Sequence, residues 1–435
     1  MLKTEKMAEK LAEAVMYLRE TKGSFISSRG PNAPLTLADM GITNEKLELI
    51  DRVAWDMAYG ATASYIPALI DPSKVDPTKR CLVVMDLFGN VLTSGNGDPR
   101  VIRPSYQSTI KHHNATHCMG LGELPEVIAG ILQTNRDFNN DRVLDPSLNV
   151  QRADNLVNNA GTISASKPLG PGFYEEKGFL EFMRKLTGNP RLKVDDDIFE
   201  SERATGFNNF AIAYRLGAAG RFGTHEEVTE AVERYFRGCS IVATPVEMGR
   251  SNLVLAAGGM DLDARLRAWK DDQPFFNPDY CIIKPDAVVR AENALNVAGM
   301  YRYQPVVNLH VSGVRATTMK SGVSGVEVAI QPGAGVAVTY HVWLDGAGNS
   351  TYGNIAHILL NEAMSAPSVV PIRLSPEELE RSVHLQERED TLATVKNVLG
   401  LVTAGHADNT YRLKPEMVRC ARGQHLKQLA LLKNF

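Results

Sequence analysis

No apolar run in the sequence approaches the roughly 18 residues that a membrane-spanning helix needs. The first residues, MLKTEKMAEKLAEAV, alternate charge with apolar side chains and so lack the unbroken core of a secretory signal. Cysteine is scarce: Cys81, Cys118, Cys239, Cys281 and Cys420 are an odd number, far apart, with no Cys-x-x-Cys pair. That spacing argues against a disulfide framework and offers no Cys-x-x-Cys zinc site, and a reducing, cytoplasmic setting is expected. Neither sign of charge dominates: 47 Lys and Arg face 50 Asp and Glu, for a formal net charge of -3. Nothing here advertises nucleic acid, a membrane surface or a basic partner, which leaves a small molecule as the expected partner. Internal repeats and low-complexity segments are also lacking.

What is present is an ordinary globular composition, 44% hydrophobic and 22% charged over 435 residues. Three zones are expected. In the first, 1–50, Met7, Leu11, Val15 and Leu18 recur at helical spacing and predict an amphipathic helix over 3–21, followed by a Gly/Ser/Pro loop that reads as a linker or a dimer arm. The second, 51–365, holds strand pairs joined by short turns: RCLVVMDLFGNVLTSG around Gly89-Asn90, and VEVAIQPGAGVAVTYHVWLD around Pro332–Gly335. PVVNLHVSG adds a strand, and helical stretches over 202–219 and 225–237 lie between the strand groups. Strands, then helices, then strands predict an α+β fold, an antiparallel sheet flanked by helices, with a helical subdomain. The third zone, 366–435, starts with a capping pattern, Ser375, Pro376 and Glu378, and reads as helical.

Chemistry is concentrated in two short motifs. Gln107-Ser108-Thr109-Ile110-Lys111 places a serine and a lysine three apart, on one face of a helix. A serine hydroxyl needs a base to act as nucleophile, and lysine is a base only when burial or a cationic neighbour leaves it uncharged. The bland reading is an exposed polar pair. Lys320-Ser321-Gly322 directly precedes the VEVAI strand, where its bland reading is a turn. The serine β-lactamases and penicillin-binding proteins carry Ser-x-x-Lys on a helix and Lys-Ser/Thr-Gly on a strand in this chain order, so the pair resembles that group. His112, His113 and His117 follow the lysine, and His113 and His117 stand at metal-pair spacing. No His-Glu-x-x-His pattern or third ligand accompanies them, so no metal is expected and exposed or helix-capping histidines are.

Further blocks are similar to the glutaminase family: YIPAL at 65–69, GD at 97–98, YQSTIK at 106–111, NNAGTI at 158–163, SERATGFNNFAIAY at 201–214, YFRGCSI at 235–241, AGMY at 298–301, KSGVSG at 320–325 and LDGAGNSTYG at 344–353. The resemblance covers about 51–360. It implies Ser108 as nucleophile, Lys111 as base and Tyr301 as proton relay, with main-chain N–H groups of Ser108 and Val323 as the oxyanion hole. It also implies Tyr65, Gln107, Asn159, Glu202, Asn209 and Tyr235 as substrate binders, no cofactor, and a homodimer or homotetramer. The chemistry agrees, since Glu202 suits an α-ammonium and the amides and tyrosines suit an α-carboxylate. Three departures concern the pocket. Phe207-Asn208-Asn209 stands where the family has Asp-Arg-Asn, GELPEVIAG at 122–130 replaces a Glu-Pro-Ser-Gly block, and Asn155-Leu156 replaces Asn-Pro. The expected activity is hydrolysis of the L-glutamine side-chain amide. The alternatives are another amide, or a binding homologue without chemistry.

Overall fold

The computed structural model describes residues 2–121, 153–345 and 348–364, less 24–26, 30–32, 59–60, 63–75, 77, 154, 168–169, 271–274, 276, 302–303 and 305–316. The PVVNLHVSG strand, Tyr65, the 122–130 segment and the capping pattern at 375–378 lie outside the described residues.

Two N-terminal helices, α1 (Leu2–Glu20) and α2 (Asn44–Met57), precede the hairpin β1 (Cys81–Asp86) and β2 (Val91–Gly95). A helical subdomain follows: α3 (Lys111–Gly120), α4 (Asn159–Ala165), α5 (Phe179–Thr187), α6 (Asp196–Thr205), α7 (Phe207–Ala218) and α8 (His225–Cys239). Helices α9 (Pro245–Ala256), α10 (Leu262–Lys270) and α11 (Pro285–Ala298) lead back to strands β3 (Thr318–Ser321), β4 (Val326–Gln331) and β5 (Gly335–Tyr340), and then to α12 (Thr351–Met364). The sheet has five strands in the order β2-β1-β5-β4-β3, every pair antiparallel. This is the α+β architecture expected from the sequence, and both hairpins form where their turns predict. At the first turn the buried Asp86 carboxylate accepts from the N–H groups of Phe88 and Asn90.

Both faces of the sheet are covered, which is why CLVVMD, VEVAIQ and GVAVTY are apolar at nearly every position and buried throughout. Helix α9 packs on one face against β1, β4 and β5, and α12 packs on the other against β4 and β5. The α9 start is fixed by a capping box, Thr244 with Glu247, and by Pro245 in the first turn. On the α12 side lie α1, through Leu11, Ala14, Val15 and Leu18, and α2. Arg19 pairs with Glu362 at 2.5 Å across that contact. Each fully buried aliphatic side chain of this core contributes about 1.5–3 kcal/mol.

The helical stretch expected over 202–219 is broken at Gly206 into α6 and α7. Any Cβ there would lie 2.3 Å from the Phe236 ring, so glycine lets the chain cross tightly over α8 while turning. The break exposes the first turn of α7 and aims Asn208 and Asn209 into a pocket.

Candidate active site

The pocket forms where the helical subdomain meets the β3 edge of the sheet. The chain enters it through Ser105, which bridges to Val242, and Tyr106, whose N–H donates to Ile241 O at 2.9 Å. Gln107 then adopts φ 47°, left-handed for a residue with a side chain, at a cost of about 1–3 kcal/mol. This kink starts a 3-10 turn, Gln107–Ile110, that runs directly into α3. Ser108 and Lys111 thus share one face at the start of a helix, and both are buried.

Lys111 points into a polar network. Its Nζ donates to Asn159 Oδ1 at 2.6 Å and lies 3.3 Å from Tyr301 Oη. Asn159 Oδ1 also accepts from Tyr235 Oη at 3.2 Å, while Asn159 Nδ2 donates to Asn209 Oδ1 at 2.7 Å. A second lysine, Lys320 on β3, approaches Tyr301 Oη at 2.9 Å and donates to the carbonyls of Gly299 and Ser321. Tyr301 therefore sits between two buried amines, and its backbone is left-handed, with φ 53°. It reaches that place because Gly299 ends α11 against β3, where a Cβ would lie 1.8 Å from Met319 O. Burial pulls the Lys111 amine down to about 7. Burial and the neighbouring Lys111 hold Lys320 well below the ordinary lysine range.

The space beside this network is a small, partly open pocket of about 50 Å³, lined by Gln107, Ser108, Asn159, Glu202, Asn209 and Val323, with Tyr235 and Asn208 at its wall. Val323 follows the Lys-Ser-Gly strand, and Gly322 comes so close to the turn that carries Ser108 that a Cβ would lie 3.0 Å from Tyr106 O. Glu202 is buried, and its Oε1 has no hydrogen-bond partner. Burial raises its carboxyl to about 7, against the opposing pull of Gln107 and Lys111. A buried carboxylate oxygen without a partner at a pocket wall is costly alone and favourable beside a ligand cation.

Of the residues singled out in the sequence, Ser108, Lys111, Tyr301, Gln107, Asn159, Glu202, Asn209, Tyr235 and Val323 meet in this one region, whereas Tyr65 lies outside the described residues. The expectation for the histidines is corrected. His112 and His113 are fully buried on the far side of α3, and His117 packs on Phe179 and Phe182. The α3 surface that carries them faces α9 and α5, which periodicity within α3 alone does not reveal. Sequence reasoning gave no individual role to Lys320, although the first position of Lys-Ser-Gly marked it. Asn208 was noted only as a lost arginine.

A Ser-x-x-Lys turn opening a helix, opposite a Lys-Ser-Gly edge strand of an antiparallel sheet, defines the fold class of the serine β-lactamases and penicillin-binding proteins. Within that class, the family model described as Glutaminase matches residues 60–367, and the chain belongs to the glutaminase family. A glutaminase of Rhodopseudomonas palustris (strain BisB18) is 28% identical over 323 residues, covering 73% of this chain and 95% of its own. One from Aeromonas hydrophila is 28% identical over 329 residues, covering 75% and 98%. Among solved structures, a probable glutaminase of Bacillus subtilis has a TM-score of 0.57 at 21% identity, covering 74% of this chain and 93% of its own.

Proposed function

We propose that this site hydrolyses the side-chain amide of L-glutamine through an acyl-enzyme on Ser108. The observation that carries the reading is Lys111: a fully buried amine, made basic near neutrality by its surroundings, on the same helical face as a pocket-lining serine. Uncharged Lys111 takes the Ser108 proton as Oγ bonds to the amide carbon. The oxyanion is stabilised by the main-chain N–H groups of Ser108 and Val323, each such donor being worth about 3 kcal/mol of barrier. Lys320 Nζ, held by Gly299 O and Ser321 O, donates to the Tyr301 oxygen, which leaves the single phenol hydrogen free to face the substrate. Tyr301 can then give that hydrogen to the leaving nitrogen and take the proton carried by Lys111 in its place. Cleavage of the C–N bond releases ammonia and leaves a γ-glutamyl ester. Water attacks that ester, its proton returns along the same path, and glutamate leaves with Ser108 restored.

Glu202 takes the substrate α-ammonium, and Asn209 with Tyr235 takes the α-carboxylate. Tyr65 remains a proposed binder on the resemblance alone. No metal or organic cofactor enters this scheme. Among the described residues no helix is long and apolar enough to cross a membrane, in keeping with a proposed cytoplasmic enzyme. Exposed Phe207 and Tyr214 on α7 support the proposed homodimer or homotetramer.

Ammonia release from L-glutamine, L-asparagine and a set of γ-amides tests the substrate. Glutamine should be turned over with the highest kcat/KM, and an inert glutamine beside an active γ-amide would redirect the reading to another amide. Asn208 at the pocket wall favours keeping that second reading, because it stands where the family pattern has a cation.

Glu202→Gln tests the ammonium subsite. The KM for glutamine should rise about tenfold to a hundredfold, the range for losing one charge-assisted hydrogen bond. Stability should move the other way. The folded-state carboxyl titrates near 7, above its unfolded value, so the native protein binds the extra proton between about pH 4.5 and 7 and loses stability as pH rises through that window. The glutamine variant should lack that slope and gain a few degrees in Tm at pH 8. An unchanged KM in the variant would remove Glu202 from the site.

A further inference from the structure

We propose that Ser251 and Asn252, adjacent residues on α9, are positioning residues for Ser108 and Lys111, acting through Tyr106, His112 and His113; this rests on the catalytic reading above. Neither residue lines the pocket. Both are fully buried between the nucleophile helix and the sheet.

Ser251 Oγ lies 2.9 Å from Met248 O, 3.0 Å from Tyr106 Oη and 3.3 Å from His113 Nε2, so one hydroxyl ties all three groups together. Asn252 Nδ2 donates to Met248 O at 2.8 Å, so its Oδ1 accepts from His112 Nε2 at 2.7 Å. The His112 imidazole is thereby set as the tautomer with hydrogen on Nε2, and the Nδ1 atoms of both rings have no partner. The rings lie 4.2 Å apart, and burial favours the neutral form of each.

These anchors bracket the reacting groups along the chain. Tyr106 precedes Ser108 by two residues, and His112 and His113 directly follow Lys111. A rotation or slide of α3 large enough to move Lys111 away from Asn159 would break the buried hydrogen bonds of Tyr106, His112 and His113 to α9. The base of the seam is rigid, since α9 is capped at Thr244 and packed on β1, β4 and β5. On its other flank α3 is tied to α4, where Asn114 Nδ2 donates to Ser166 Oγ at 3.0 Å and Cys118 Sγ donates to Ala165 O. Helix α4 carries Asn159 at its start. The seam thus fixes the lysine relative to its own acceptor.

Ser251→Ala and Tyr106→Phe in the full-length chain test the seam, each compared with wild type per folded molecule. Two quantities are read: kcat and KM for ammonia release, and the rate at which a fluorophosphonate labels Ser108, followed by intact mass. Ser251→Ala should lower kcat about tenfold to a hundredfold, the scale of an ångström-sized misplacement, with KM within about twofold and labelling slowed in parallel. Tyr106→Phe, which removes one bond to the same hydroxyl, should lower kcat about threefold and keeps the test available should the alanine variant not fold. Unchanged kcat and labelling per folded molecule would reduce the seam to core packing and overturn the proposal. Wild-type labelling without hydrolysis of any amide would sink the substrate assignment alone, with the seam still judged by labelling rate. Absence of both in wild type would overturn both.

Discussion

Ser108→Ala should lower kcat for glutamine hydrolysis by about 10⁴- to 10⁶-fold, the range found when the nucleophile of a serine hydrolase is removed. The loss is large because the proposed mechanism makes the hydroxyl the bond-forming atom, and the pocket residues that surround it have no replacement. Gln107 is held in a left-handed kink, Asn159 is engaged by Lys111, Tyr235 and Asn209, and Val323 offers only its main chain. Substrate binding should survive, since Glu202 and Asn209 sit on other helices. A coupled ammonia assay measures the rate, and calorimetry with glutamine measures the affinity. Turnover at the wild-type rate in the alanine variant would end the serine mechanism.

Lys111→Met should cost about 10²- to 10⁴-fold in kcat, the usual worth of a positioned general base. Its signature is in the pH profile. The amine titrates near 7, and only its uncharged form can accept the serine proton, so wild-type kcat should fall as pH drops below about 7. Glu202 also titrates near 7, yet bound ammonium holds it ionised, so its effect belongs to KM and the kcat limb belongs to Lys111. The methionine variant should be slow and flat across that range. If the acidic limb persisted unchanged in the variant, another group would be the base. Lys320 hydrogen-bonds to Tyr301, the proposed relay, so its own replacement should cost less.

The readable parts of the fold were those in which one local signal is decisive. Period and turn chemistry placed β1 with β2 and β4 with β5, and the spacing of Leu11, Val15 and Leu18 placed α1. Strand order was not legible, because β1 pairs with β5 across most of the chain and no local pattern encodes that register. The site was legible through its motifs. Ser-x-x-Lys and Lys-Ser-Gly are short because each sits on one regular element, and the remaining residues came from block resemblance. What the sequence could not give is which partner faces each side chain. His112 and His113 look like solvent-facing polar residues until α9 brings Ser251 and Asn252 against them. Gly206 reads as a tolerated helix glycine until the Phe236 ring is seen against it.

The strand order has a consequence for synthesis on the ribosome. Cys81 lies opposite Tyr340, so the apolar strand β1 has only β2 beside it until the chain has emerged past β5. The helices of the subdomain between them, such as α4, α7 and α8, pack on one another and can assemble first, while an unsatisfied strand edge waits for its partner. Until that closure, the exposed edge of β1 is the part of a nascent chain most open to pairing with another chain.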